Sequence, residues 1–497
     1  MRTGRHFARD QTTFRINLLP SLVATGLVVL LSANQAPASE PSQSKTRPNI
    51  LFLFADDQRA DTIAALGNTH IQTPNIDRLV HDGTAFSRAY CMGSHHGAVC
   101  IPSRAMLLTG RSLFHIKENI AGQSTWPEAF AKAGYTTFFT GKWHNQEASA
   151  LRIFSQGKAI FLGGMGEPYK LPIQDISPEH TFVNPRESGS HSVAVFADAA
   201  IEFLGKQTGA NPFLCYVPFN LPHDPRVAPQ PFHDRLNANP PPLPGNFLPQ
   251  HPFNNGALVL RDEELAPWPR TPQVVRQHLA DYYAAIEFLD EQIGRILKAL
   301  KASGQYENTL IVFTSDHGLA LGSHGLFGKQ SLYDHSMHSP LVIAGPGIPK
   351  GRRTDAFCYL LDLFPTLGDF AGVRGPQESE GLSLVPVLEG KVPTRRESIF
   401  TAYANSQRAV RDERWKLIVY PQINKTQLFD LRDDPNEMRD LAASPAHQAE
   451  VARLTALLQD SQHRLDDSLP LTSKNPQPAD FDFSTVKSSP TKKTAGG

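Results

Sequence analysis

The chain has 497 residues, 40% of them hydrophobic, and its 48 Lys and Arg are matched by 48 Asp and Glu. That length can bury a large core in two or three domains. A net charge of zero excludes a global basic field, so nucleic acid is not an expected partner and any positive potential must be local to a pocket. Four cysteines, Cys91, Cys100, Cys215 and Cys358, are too few for a dense disulfide framework, so the core rather than cross-links must carry the stability.

At the N-terminus Arg2, Arg5, Arg9 and Arg15 precede an apolar run from Leu18 to Ala33, and Ala36-Pro37-Ala38 offers small residues for cleavage before Ser39. Residues 1–38 are therefore expected to be a signal peptide, making the protein exported, periplasmic or secreted. The run is shorter than a comfortable membrane span, so no stable membrane insertion is expected after cleavage; an uncleaved anchor stays open.

Residues 49–55 form a nearly continuous apolar run that ends in Asp56-Asp57-Gln58-Arg59. Such a run fits a parallel strand buried on both faces. Next comes Cys100-Ile101-Pro102-Ser103-Arg104. Pro102 has a fixed φ and no N–H to lose, which suits the first turn of a helix, and Gly110 can end it. Cys100 then lies at a helix N-terminus. Free N–H groups and the helix dipole favour an anion there, and Arg104, one turn on, can present its guanidinium to the same tetrahedral oxyanion.

Residues 136–140 read as a strand leading into Gly141-Lys142-Trp143-His144. Residues two apart share a face of an extended chain, so Lys142 and His144 are expected to point into one crevice. Residues 213–218 read as another strand, followed by Leu221-Pro222-His223-Asp224-Pro225, where prolines restrict the backbone that carries His223. The stretch 225–272 contains Pro240-Pro241-Pro242-Leu243-Pro244 and shows neither period, so a long irregular excursion near the pocket is expected. From 275 to 302, Leu279, Tyr283, Ile286, Leu289, Ile293, Ile296 and Leu300 recur at helical spacing until Gly304. Residues 309–314 repeat the strand pattern and end in Ser315-Asp316-His317-Gly318, with Gly328-Lys329-Gln330 shortly after.

Strands alternating with helices imply an α/β fold with a large, mainly parallel or mixed sheet sandwiched by helices, whose strand-end loops form the ligand crevice. Asp56, Asp57 and Asp316 supply oxygen ligands for a hard cation. The catalytic domain is expected over 46–372 and a smaller C-terminal α+β domain over 373–466, with strands at 415–420 and 427–431 and a helix at 446–463. Residues 467–497 are expected to be a disordered tail.

The run from Cys100 to Arg104, continued by Leu107-Leu108-Thr109-Gly110-Arg111, resembles the signature of the type I, formylglycine-dependent sulfatases of the alkaline phosphatase-like superfamily. The resemblance covers most of 46–440, including Gln427-Leu428-Phe429-Asp430-Leu431 and Asp434-Pro435. In that family a formylglycine-generating enzyme oxidises the Cys to formylglycine, and the aldehyde hydrate is the nucleophile. The resemblance implies one divalent cation beside residue 100, Ca2+ foremost with Mg2+ the other option. Its ligands would be Asp56, Asp57, Asp316 and His317, the last where the family commonly has Asn, together with the modified Cys100 itself.

The same resemblance assigns catalytic roles to Cys100, Arg104, Lys142, His144, His223 and Lys329. Arg104, Lys142 and Lys329 would hold sulfate oxygens, and His223, alone or with Lys329, would protonate the leaving alcohol. His144 would deprotonate the second hydroxyl of the hydrate so that sulfate leaves. The implied substrate is a sulfate monoester, by analogy that of a sulfated saccharide. Two alternatives remain: a phosphonate or phosphate ester hydrolase of the same superfamily, and a catalytically silent protein that binds sulfated glycans. His95, His96, His324 and His335 have no role in this scheme, with the pocket wall as one place for them.

Overall fold

The structure, a computed structural model, describes residues 47–486 together with Thr13 and Arg15. The expected signal peptide lies outside the described residues apart from those two, and residues 487–497 lie outside them as well. The strand Asn49–Ala55 is buried throughout, and its alternate side chains serve two layers. Ile50, Phe52 and Phe54 pack into one apolar cluster with the helices Cys100–Thr109 and Leu363–Ala371, where Phe52 stacks on Phe364 at 5.3 Å between ring centroids. Leu51, Leu53 and Ala55 pack into the other with Ser192–Gly205 and Pro272–Ala302. Burying each large side chain contributes about 1.5–3 kcal/mol, so both faces of this strand hold the helical layers in place.

The main sheet has 11 strands. Its centre is parallel: Thr309–Ser315, Asn49–Ala55, Phe213–Pro218, Thr136–Lys142 and Gln156–Phe161 lie side by side in that order. Antiparallel strands flank them, His338–Ala344 on one side and Pro172–Ile176 on the other, so the sheet is mixed. A second, five-stranded sheet runs Lys425–Asp430, Trp415–Tyr420, Gln407–Arg411, Ile399–Tyr403, and is completed by Gly93–Ser94 from the N-terminal half. Among the described residues no helix is long and apolar enough to cross a membrane, and all four cysteines are free and buried.

Two expectations need correction. The stretch 225–272 contains a helix, Gln230–Ala238, whose Leu236 and Phe232 pack on the core and whose Arg235 pairs with Glu287 of the long helix; a single pair of apolar side chains was too weak a periodic signal. The tail is ordered over 467–486. Asp467 pairs with Arg408, Asn254 N–H donates to the Ala479 carbonyl at 2.7 Å, and Leu471, Phe481 and Phe483 pack against the core. Three apolar residues in a polar segment suffice when a surface is already there to receive them.

Candidate active site

Strand register builds the site. Ala55 pairs with Ser315 and Phe54 with Pro218, so the residues that follow three neighbouring strands leave the sheet at one edge. There Asp57 N–H donates to Asp316 Oδ1 at 2.9 Å and Asp56 N–H to the Leu221 carbonyl at 3.0 Å. These bonds tie the first acidic pair to the second and to the loop of His223. Tyr282, from the helix Pro272–Ala302, donates its hydroxyl to the Asp57 carbonyl at 2.6 Å. Asp57 and His144 hold φ of 68° and 69°, a left-handed conformation that costs non-glycine residues energy and concentrates at functional sites.

Cys100 opens the helix Cys100–Thr109, which ends at the left-handed Gly110, as the Pro102 and Gly110 positions require. Ser103 Oγ donates to the Asp316 carbonyl at 2.8 Å and fastens this helix to the acidic edge. Arg104, 1% exposed, reaches Asp56 Oδ1 at 3.3 Å and Asp316 Oδ2 at 3.2 Å, and donates to the Lys142 carbonyl. Lys142 closes its strand one residue after Gly141, whose φ of 116° and close approach to the Pro218 carbonyl admit no Cβ. Its ammonium lies 2.5 Å from Asp56 Oδ2 and 3.9 Å from Cys100 Sγ. His144 Nδ1 lies 3.3 Å from the same sulfur. Lys142 and His144 do converge, although the left-handed turn at His144, and not a simple pleat, aims its ring.

Lys329 Nζ lies 2.8 and 3.0 Å from the two Asp57 oxygens. His223 Nδ1 donates to the Asp224 carbonyl at 2.8 Å, which leaves Nε2 facing the crevice 3.9 Å from Asp57 Oδ2. The electrostatics follow from crowding. Burial opposes the Asp56 carboxylate, but the Lys142 ammonium, with His223, Arg104 and Lys329, overrides it and holds the group well below the usual carboxylate range. Burial likewise opposes the Cys100 thiolate. Lys142 and Lys329, with His144 at hydrogen-bond distance from the sulfur, bring the thiol well below its ordinary value. Burial lowers His144, favouring the neutral imidazole that a proton acceptor must be.

The donor set fits a divalent cation. Oxygens of Asp56, Asp57 and Asp316 lie within 4.8 Å of one another, as do ligand atoms of Cys100, Asp316 and His317. His317 Nε2 is buried with no hydrogen-bond partner, an expensive state for a polar atom that a ligand would relieve. Three carboxylates meet three cationic side chains here, so an added divalent ion would leave the pocket net positive and suited to an anionic substrate.

All ten residues picked out in the sequence therefore meet at one edge of the sheet. The unassigned histidines do not. His95 Nε2 contacts the Leu113 carbonyl at 3.1 Å, His96 pairs with Glu118, and His324 stacks on Tyr333 near His335 under the second sheet. Sequence reasoning missed Tyr282, because it placed Tyr283 on the buried helix face. The spacing Leu279, Tyr282, Ile286 carries the signal equally well, and Tyr282 is the fully buried one.

The sulfatase family model matches residues 48–373, and the model of the C-terminal part of N-sulphoglucosamine sulphohydrolase matches 322–464. The chain belongs to the sulfatase family of the alkaline phosphatase-like superfamily. It is a sulfuric ester hydrolase. It is 28% identical to the N-acetylglucosamine-6-O-sulfatase of Bacteroides thetaiotaomicron over 92% of this chain and 93% of that protein. A structure solved in complex with its substrate D-glucosamine-2-N,6-O-disulfate superposes with a TM-score of 0.73 at 25% identity, covering 86% of this chain and 99% of the other. The phosphonate monoester hydrolase of Agrobacterium radiobacter superposes with a TM-score of 0.68, also at 25% identity, covering 84% and 96%.

Proposed function

We propose that the protein is an exported, formylglycine-dependent and metal-dependent sulfatase that removes sulfate from a sulfated saccharide. The observation that carries this reading is the convergence of Lys142, His144 and the Asp56–Asp57–Asp316 carboxylates around Cys100 at a helix N-terminus. The N-acetylglucosamine-6-O-sulfatase relative of Bacteroides thetaiotaomicron and the disulfated-glucosamine complex support a sugar substrate. Residues 1–38 would direct export after cleavage, and a formylglycine-generating enzyme would act on Cys100 during maturation.

Converted to formylglycine, residue 100 supplies a hydrated aldehyde with two hydroxyls. Asp56, Asp57, Asp316 and His317 would hold a divalent ion, Ca2+ or Mg2+, whose charge would lower a hydroxyl pKa. Arg104, Lys142 and Lys329 hold the sulfate oxygens and stabilise the charge that grows on them. His223 delivers a proton from Nε2 to the departing sugar oxygen, a poor leaving group without it. His144, neutral and beside residue 100, accepts a proton at Nδ1 from the side chain of that residue.

The phosphonate monoester hydrolase neighbour keeps a second reading in view. Charge separates a sulfate monoester, with one negative charge, from a phosphate monoester, with nearly two at neutral pH, whereas a phosphonate monoester also carries one and is distinguished by turnover alone. The test is kcat/KM of modified, metal-loaded protein on sulfated saccharides, aryl sulfates, and phosphate and phosphonate esters. Sulfate esters should be strongly preferred. Equal or better turnover of phosphate or phosphonate esters would replace this reading with the second.

A further inference from the structure

The proline-rich excursion between His223 and the long helix is not only a wall. Its segment 261–270 grips the backbone that carries Lys329. Glu263 is 2% exposed and Arg270 1%. Glu263 Oε1 accepts the Phe327 N–H at 3.0 Å and the Gly328 N–H at 2.8 Å, while Oε2 accepts from Arg270 Nη2 at 2.6 Å. The Arg270 guanidinium lies over the Trp268 ring at 4.0 Å and over Phe327 at 4.9 Å, and it also donates to the Ala266 carbonyl. Next door, Asp262 Oδ2 accepts from Gln330 Nε2 at 2.7 Å. That same amide reaches the Gly97 carbonyl at 2.8 Å, three residues before Cys100. The backbone just before Lys329 and the side chain of Gln330 just after it are thus held by side chains from a single segment, and the Gln330 amide extends the tie to the nucleophile's own loop.

We propose that Glu263, oriented by Arg270, is a positioning residue for Lys329: it holds the Phe327–Gly328 backbone so that the Lys329 ammonium is aimed into the site. This rests on the sulfatase reading, in which Lys329 holds sulfate oxygens. The proposal requires the carboxylate as an acceptor and not the ion pair as such. An ion pair buried this deeply is often replaceable by apolar residues of similar volume without loss of stability. Two buried backbone N–H donors left without an acceptor are not so easily tolerated, and the local backbone must move to satisfy them.

The experiment compares two neutral pairs in the full-length, modified, metal-loaded enzyme. Glu263→Gln with Arg270→Met keeps an oxygen for both N–H groups, and kcat/KM on the best sulfate ester should stay within about threefold of wild type. Glu263→Met with Arg270→Met keeps volume and neutrality but removes the acceptor. It should lower kcat about 10–100-fold, the scale of an ångström-level misplacement. In a Lys329→Ala background the Met/Met pair should cost less than about twofold further, because the group it positions is already gone. A merely structural role would give equal additional losses in both backgrounds, and that result would overturn the proposal. Full activity of the Met/Met enzyme alongside an impaired Lys329→Ala enzyme would also sink it, leaving the sulfatase reading intact. An unimpaired Lys329→Ala enzyme would remove both the role given to Lys329 and the brace. Should the Met/Met chain not fold, the Gln/Met pair carries the test: a loss of 10-fold or more with an unchanged melting temperature would contradict the acceptor argument.

Discussion

Among the described residues, dense clusters of buried charged and polar groups lie in the crevice around Cys100 and beneath the second sheet. In the crevice, Asp56, Asp57, Asp316, Arg104, Lys142, Lys329 and His144 converge on Cys100. Beneath the second sheet, Lys416 bridges Asp334 at 2.7 Å and Glu437 at 2.6 Å, Arg411 joins Asp334 at 2.8 Å, and Tyr333 and Tyr420 share Gln427 Oε1. Burial and charge do not distinguish the two. The difference is the backbone that delivers the groups. The crevice is fed by strand ends and a helix N-terminus that bring side chains to one point. The second cluster is fed largely from within strands, where Arg411 and Lys416 cross-link layers. Crowding around a nucleophile serves chemistry; pairing across an interface serves the fold.

The sharpest way to break this contrast is Cys100→Ala. It should lower kcat/KM by at least about 10⁴-fold while leaving the melting temperature within a few degrees, since only the nucleophile goes. Peptide mass analysis of the active enzyme should find an aldehyde at residue 100; a fully active preparation carrying an unmodified thiol there would end the argument. Chelation should follow in size, reducing turnover by about 10³-fold with recovery on Ca2+ or Mg2+ rather than Zn2+. Elemental analysis that finds no stoichiometric metal in active enzyme would refute that expectation.

Lys416→Met should behave in the opposite sense. It leaves Asp334 and Glu437 buried without their shared cation and should cost about 3–5 kcal/mol of stability by denaturant unfolding. Turnover by the folded fraction should stay within about twofold; a larger loss would mean that the junction communicates with the crevice. His223→Ala returns to chemistry and should reduce kcat/KM on sugar sulfates by about 10²-fold, with less than about tenfold loss on activated aryl sulfates, whose leaving groups depart unaided. Equal losses on both would remove His223 from the proton-donor role.

The smallest effect concerns pH. Burial holds His251 down to about 3 and His324 and His338 down to about 4, below the ordinary histidine value of 6.5. The unfolded chain then binds more protons than the native one between about pH 6.5 and about pH 4, so stability is present above that window and lost as pH falls through it. Each histidine contributes up to about 1.4 kcal/mol per pH unit. Melting temperatures taken from about pH 7 to about pH 5 should fall, and His338→Phe should flatten the slope by one histidine's share. His338 stacks on Tyr90, with Asp334, Arg411, Asp61 and Lys416 as its charged surroundings. A pH-independent melting temperature would show that these histidines stay accessible to protons.

Much of the catalytic half was legible. Asn49–Ala55, Phe213–Pro218 and Trp415–Tyr420 match the expected strands residue for residue, because an uninterrupted apolar run has one economical conformation and the polar residues after it mark the edge. The antiparallel strand Pro172–Ile176, the helix Gln230–Ala238 and the ordered tail were not legible. Their sequences are too polar or too short to show a period, and each becomes stable only against a surface built by the rest of the chain. The brace on Lys329 belongs with them, since Glu263 and Arg270 in a proline-rich stretch carry no sign of the backbone they hold.

What the sequence determined by itself was chemistry and local form: a Cys at a helix start, acidic pairs after apolar runs, a Lys two residues before a His. These follow from short-range sterics and periodicity, which act within a few residues. What the tertiary structure decided was register and aim. Pairing of Ala55 with Ser315 brings Asp57 to Asp316 across 259 residues, the left-handed turn at His144 directs its ring onto Cys100, and a distant loop holds the backbone just before Lys329. Those outcomes depend on which surfaces pack together once the sheet has formed, a property of the whole chain that no local window contains.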